Sequence, residues 1–343
     1  MFVGRRFIEE NQLNNSDLSE RMSRSPYRTI WGLAWPQVLM MIFHFFIGMA
    51  DVWVAGKINR EVQASLGIIT QSLFFLLVVA IAVANGAVAA ISQSEGAGLH
   101  KRVKRYVSLV VACAVALSGA FLLIGFPCRE LLQDALQVPG EMRYVTSYFL
   151  NVYLLILPSY YLLISTNAIF RARKQVKIPL YSMMIVTTVN AFLDVGLGLG
   201  MWGMPNLGYK GLAWATFGSV TAGAMSNLFV LIKQGALDPS SFPPLKWIRV
   251  AIAYLAKVAW PSGLMQIVWH SGYLVLYAIT ASLTVGAVDA LAGMSIGLRI
   301  ESLLFLPAFA LNMTASILIG HYLGARDRKP PRRSGTRFSA SAW

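Results

Sequence analysis

The chain has 343 residues, 56% hydrophobic and 13% charged, with a mean hydropathy of +0.59. A soluble globular domain carries about 25% charged residues, so the composition excludes that class and indicates a polytopic membrane protein. The formal net charge is +14, but the basic residues sit in short clusters between apolar runs and not on an aromatic-interleaved surface, which argues against nucleic acid as a partner and reads as a topology signal.

Residues 1–29 are polar and charged and lack the apolar core of a signal peptide, so they are expected to form a cytosolic arm before an uncleaved first span. Apolar stretches long enough to cross a bilayer core of ~30 Å follow at about 30–55, 66–93, 106–126, 144–169, 178–202, 211–232, 251–280 and 291–320. Cys113 and Cys128 lie on or just past the third of these. They are about 22 Å apart at ~1.5 Å per residue and too far to pair while that helix persists.

The connections alternate in charge. Arg21, Arg24 and Arg28 precede span 1; Lys101, Arg102, Lys104 and Arg105 follow span 2; Arg171, Arg173, Lys174 and Lys177 follow span 4; Lys233, Lys246, Arg249 and Lys257 go with the connection before span 7; Arg326, Arg328, Lys329, Arg332 and Arg333 follow span 8. The intervening loops are poorer in cations. Positive-inside bias therefore places both termini and the even-numbered loops in the cytoplasm of an inner-membrane protein.

Around Pro36 the chain reads AWPQVLMMI and around Pro261 it reads AWPSGLMQI, matching at an offset of 225; Gly96-Ala97 is echoed by Gly324-Ala325 at an offset of 228. An even number of spans separates the copies, so this is a parallel repeat about an axis along the membrane normal. The organisation expected is a lobe of six helices over 30–232, a cytosolic linker over 233–250, the first two helices of a second lobe over 251–320, and a basic tail over 321–343. A second copy as long as the first would run well beyond residue 343. The tail, RDRKPPRRSGTRFSASAW from Arg326, is expected either to be a disordered extension or to be the product of a frameshift or early stop that shortens the second lobe.

Of fifteen acidic residues, only Asp51, Asp194 and Glu301 fall well inside apolar spans. An aspartate at the centre of a span costs roughly 2.5–3.5 kcal/mol on insertion scales, which makes it a functional candidate. Asn190 and Asp194 are four residues apart on one face of span 5 and offer oxygen ligands for a cation or a relay for a proton; Thr216, at the start of span 6, could add a hydroxyl. The alternative is that they only glue neighbouring helices together. His44, one heptad before Asp51, could face the same cavity or simply pack. Pro36, like Pro261, removes a backbone hydrogen bond and permits a helix hinge. Trp269, Arg299 and Glu301 are candidate cavity residues of the last two spans, with belt or bundle packing as the alternative. Tyr153, Tyr160 and Tyr161 are aromatics that could line an organic-cation site. No Walker A, HExxH, Gly-x-Ser-x-Gly or Cys/His metal signature is present, so nothing points to an enzyme or to a resident cofactor.

These residues resemble the multidrug and toxic compound extrusion family of secondary exporters. The resemblance runs from about Arg28 to Asp327 and rests on LAWP with Asp51 fifteen residues after the proline, SQSEGAG, IFRARKQVKIPL, VNAFLD, GYKGLAWAT and LRIESLLFLPAFALNMTASILIGHYLGARD. It implies an all-α fold of twelve helices in two six-helix lobes, of which this chain holds about eight. It also implies antiport driven by H⁺ or Na⁺, with Asp51, Asn190, Asp194 and Thr216 as the cation or proton site and Na⁺ held by the first three. The cargo expected is an amphipathic, cationic organic small molecule, with the lipid bilayer as the other partner. The region that carries a second carboxylate in many members reads QIVWHSGY here and has no acid. Two other expectations stand beside efflux: a transport-inactive fragment or membrane scaffold, and a lipid-linked saccharide flippase. The flippase would need cationic residues inside the cavity, which the first six spans, as delimited above, do not contain.

Overall fold

The computed structural model describes residues 25–135, 138, 140–237, 243–283 and 286–325. They form eight long helices: α1 (Pro26–Ile58), α2 (Arg60–Gly96), α3 (His100–Ala135), α4 (Gly140–Ala172), α5 (Lys177–Leu193), α6 (Tyr209–Lys233), α7 (Leu245–Ala281) and α8 (Ala287–Gly324). Each has the length and hydropathy to cross a membrane, so the all-α polytopic expectation holds and this is a multi-pass membrane protein.

The helices run past the apolar cores that mark them in the sequence, because their ends are built by local chemistry. Pro26 opens α1 at a position where its missing N–H costs nothing. At Asn59 the backbone is extended (φ −168°, ψ 172°) and its side chain accepts a hydrogen bond from the Val62 N–H at 2.7 Å, which ends α1 and caps α2 in one residue. α4 continues to Ala172, carrying Arg171 out of the expected loop and into the helix; α7 starts inside the expected linker, and α8 extends to Gly324, past the expected start of the tail. The rest of that tail, from Arg326, lies outside the described residues. Span 5 departs most from expectation. Its α-helix stops at Leu193, Asp194–Gly198 form a π-helical turn, and Gly200 is left-handed (φ 71°), so the chain leaves the helix before residue 202.

α4 is the centre of the first bundle, packed against α2, α3 and α6, while α5 lies between α1 and α6. The apolar core joins Val54, Leu66, Phe149, Leu157, Tyr161 and Leu212, among others. Cys113 and Cys128 are both free on α3.

The two sequence copies meet in a reciprocal arrangement. α1 packs on α8, α2 packs on α7, and α2 crosses α8. Gln37 of α1 donates to the Thr314 hydroxyl of α8 at 2.7 Å, and Asn85 of α2 donates to the hydroxyl of Ser262, the residue of α7 that corresponds to Gln37, at 2.6 Å. At the crossing, a Cβ on Gly96 would strike the His321 backbone and a Cβ on Gly324 would strike that of Gln93. Residues 93 and 321 are themselves equivalent at the offset of 228. This is the mutual contact that a two-fold relation between parallel repeats demands, made possible by small residues where two backbones touch.

Candidate functional site

Asp51 comes from α1, Asn190 from the last turn of α5, Asp194 from the first position of the π-turn, and Thr216 from the second turn of α6. The π-turn is held by packing against α6, α5 and α1. Gly211 is what allows the α6 contact: a Cβ there would overlap the backbone of Leu197 and Gly198. Thus a local widening of α5 and a glycine in α6 set the Asp194 side chain between three helices.

Asn190 and Asp194 have no exposed surface, Thr216 is buried, and Asp51 is partly buried. Asn190 Nδ2 donates to Asp51 Oδ1 at 3.4 Å. The Asp51 and Asp194 carboxyl groups interact directly, and neither oxygen of Asp194 has a donor, nor does Asn190 Oδ1. Three buried oxygens without donors, next to a second carboxylate, describe a place that a proton shared between the acids or a small cation would complete. The Thr216 hydroxyl donates to Leu212 O at 3.1 Å and meets the Tyr153 hydroxyl, which also feels both carboxylates. Tyr153, buried on α4 and expected from the sequence only as an aromatic that could line an organic-cation site, joins this cluster through the packing of α4 against α6. Among the described residues no group of three or more His, Cys, Asp or Glu comes together to hold a metal.

The remaining candidates are elsewhere. His44 is exposed on α1. Pro36 is buried within a continuous α1, next to the Gln37–Thr314 bond. Trp269 is half exposed, with its ring 6.1 Å from those of Tyr273 and Phe305. Glu301 accepts from the Tyr273 hydroxyl at 2.8 Å, which ties α8 to α7. The Arg299 side chain lies outside the described residues.

A second polar cluster gathers where α4 ends. Glu95, buried at the close of α2, acts on Arg173 and Lys174 of the α4–α5 connection. Burial pushes the Lys174 ammonium down to about 8, against the pull of Glu95. His321 of α8 places Nε2 2.9 Å from Ala172 O. Arg171, two residues past the apolar stretch that ends at residue 169, is also buried, because α4 runs on to Ala172.

The MatE family model matches residues 36–195 and again 261–338, more than half of the chain in two stretches that begin 225 residues apart at the paired prolines. The chain belongs to the MatE family. Among its relatives are the probable multidrug resistance protein NorM of Thermotoga maritima, 26% identical over 299 residues (87% of this chain, 63% of that protein), and the FAD transporter of Shewanella oneidensis, 24% identical over 307 residues (87% and 65%). The fold matches an outward-facing multidrug resistance MATE family transporter of the MOP superfamily with a TM-score of 0.79 at 18% identity, covering 89% of this chain and 66% of that one. An inward-facing MATE family transporter gives 0.70 at 18% identity, covering 88% and 68%. The MatE chain thus spans 63% of the Thermotoga maritima relative and 65% of the Shewanella oneidensis one, a little under two thirds of their length.

Proposed function

We propose that the protein is a secondary exporter of amphipathic organic solutes, organic cations above all, in the inner membrane with both termini cytoplasmic, driven by inward movement of H⁺ or Na⁺. The observation that carries this reading is the Asp194 carboxylate: fully buried, without a donor on either oxygen, and in direct contact with Asp51. A charged carboxylate in such a place is costly, so the pair takes up a proton or cation when it can reach one and gives it up when the other side of the membrane is accessible. Asn190 orients Asp51, while Thr216 and Tyr153 close the site from α6 and α4. Loading the site changes the charge between α1, α5 and α6. The hinge at Pro36, beside the α1 contact with α8, is where that change can alter how the repeats meet.

The test is efflux of a cationic dye from cells making this chain. Asp194→Asn and Asp51→Asn are expected to abolish dye export while leaving the amount of membrane-inserted protein unchanged. Export that survives both substitutions would sink the coupling site. The second reading, a membrane scaffold without turnover, draws support from the sparse packing of α7, whose buried residues are Ala251, Leu255, Gly263 and Tyr277. It predicts that the unmodified chain exports no dye at all.

A further inference from the structure

Arg171 occupies the last turn of α4 and is 8% exposed. Its Nη1 points at Met313 Sδ of α8, 2.8 Å away, and its Nε has no acceptor. A thioether is a weak, uncharged acceptor, and no acid among the described residues acts on this guanidinium. The nearby carboxylate, Glu95, is engaged with Arg173 and Lys174. A permanently charged, planar fork is therefore shut into the seam between α4 and α8 with nothing of opposite charge to hold.

A second side chain points the same way. His321, 6% exposed on α8, reaches the carbonyl of Ala172, the residue after Arg171, and its Nδ1 has no partner. Met313 and His321 lie about two turns apart, so α8 meets the end of α4 through these two side chains. Arg171 and Lys174 lie against it, with Glu95 acting on Lys174, while Arg173 turns away to Gln234 at 3.2 Å. Arginine is the side chain best suited to take two oxygens of a phosphate or carboxylate at once, and basic seams between membrane helices are where anionic headgroups bind.

We propose that the seam between the last turn of α4 and α8 is an oxyanion site, in which the Arg171 guanidinium takes a phosphate or carboxylate group of an amphipathic molecule and Met313 covers it when the site is empty. It is separate from the Asp51 and Asp194 cluster in both residues and sign of charge, so either assignment can fail alone. The oxyanion can come from an anionic phospholipid or from an anionic solute.

Two probes separate these sources. Purified protein in phosphatidylcholine nanodiscs is titrated with fluorescein, an amphipathic carboxylate, and followed by anisotropy. Protein from phosphatidylcholine membranes with or without phosphatidylglycerol is examined by native mass spectrometry for retained lipid. At least one probe is expected to bind saturably, with Arg171→Gln weakening it about tenfold or more, Arg171→Lys falling between, and the exposed Arg102→Gln leaving it unchanged. Met313→Leu, which removes the sulfur acceptor and keeps the volume, is expected to tighten binding a few-fold. Retention of phosphatidylglycerol alone assigns the lipid source and fluorescein binding alone assigns the solute. Absence of both, or equal losses in Arg102→Gln and Arg171→Gln, overturns the site. Should Arg171→Gln fail to fold, unchanged binding in both Arg171→Lys and Met313→Leu overturns it as well.

Discussion

α1–α2 and α7–α8 carry the same repeated pattern yet live in different surroundings. In the most apolar stretches, 28% of α1 and 56% of α2 is buried within the protein, against 6% of α7 and 33% of α8. What the copies share is the seam where they meet: the Gln37–Thr314 and Asn85–Ser262 bonds and the mutual contact at Gly96 and Gly324. What they do not share is a bundle. α1 and α2 pack on α5 and α4, whereas α7 presents Trp260, Met265, Val268 and Val275 outward. In lipid, apolar surface gains little from helix association as such, so close backbone approach and interhelical polar bonds must hold the repeats together.

The sharpest way to break the comparison is therefore at the seam. Gly96→Leu or Gly324→Leu would drive a branched side chain into the backbone of the opposite copy, with no flexible neighbour to yield. A cost of about 3 kcal/mol or more is expected, read as a large fall in thermal stability in detergent and as increased spin-label distances between α2 and α8. Unchanged distances would mean that the repeats are held together elsewhere. Gly211→Ala probes the first bundle alone: its methyl meets the π-turn, so about 1–2 kcal/mol of destabilisation is expected together with loss of dye export, because Asp194 moves with that turn. Stability lost without any effect on export would separate the turn from the site.

The pattern of residues reveals the eight helices, the repeat, and Asp51, Asn190, Asp194 and Thr216 as candidates, because membrane helices are marked by apolar length and polar groups inside them are rare; that the four act as one site is what the family resemblance implied. The place of Tyr153 beside the carboxylates and the burial of Arg171 are illegible for opposite reasons. Tyr153 is one aromatic among several, and its contact with Thr216 exists only through the packing of α4 on α6. Arg171 follows an apolar run by two residues, and no local signal says whether such a charge reaches water or is roofed by a distant helix. The end of α5 is hidden too: the π-turn depends on α6 coming close at Gly211, a contact between segments that hydropathy cannot foresee. Nor does hydropathy tell a lipid-facing helix from a buried one, since both are apolar, which is why α1 and α7 read alike.

A smaller effect sharpens the comparison at the junction of the copies. The Lys174 ammonium titrates near 8 in the folded protein and near 10.4 in an unfolded chain. Between those values the unfolded state binds more protons, so stability rises with pH from about 8 to about 10.5 and is flat, for this group, below 8. Lys174→Met should flatten that slope in thermal melts of the purified protein. A slope unchanged by the substitution would mean that Lys174 is as solvated in the folded chain as in the unfolded one.

The least effect is expected on the exposed side of the second copy. Gly272 lies within α7, and a Cβ built there meets nothing within 4 Å, whereas the glycines of the seam meet backbone. Gly272→Ala adds helix propensity without a clash, so stability should change by no more than about 1 kcal/mol and towards the stable side. The same methyl group that ruins the crossing should be harmless one helix away. A Gly272→Ala variant that melts markedly earlier would show that α7 is covered, by another polypeptide or by a second copy, at a place where the chain alone leaves it bare.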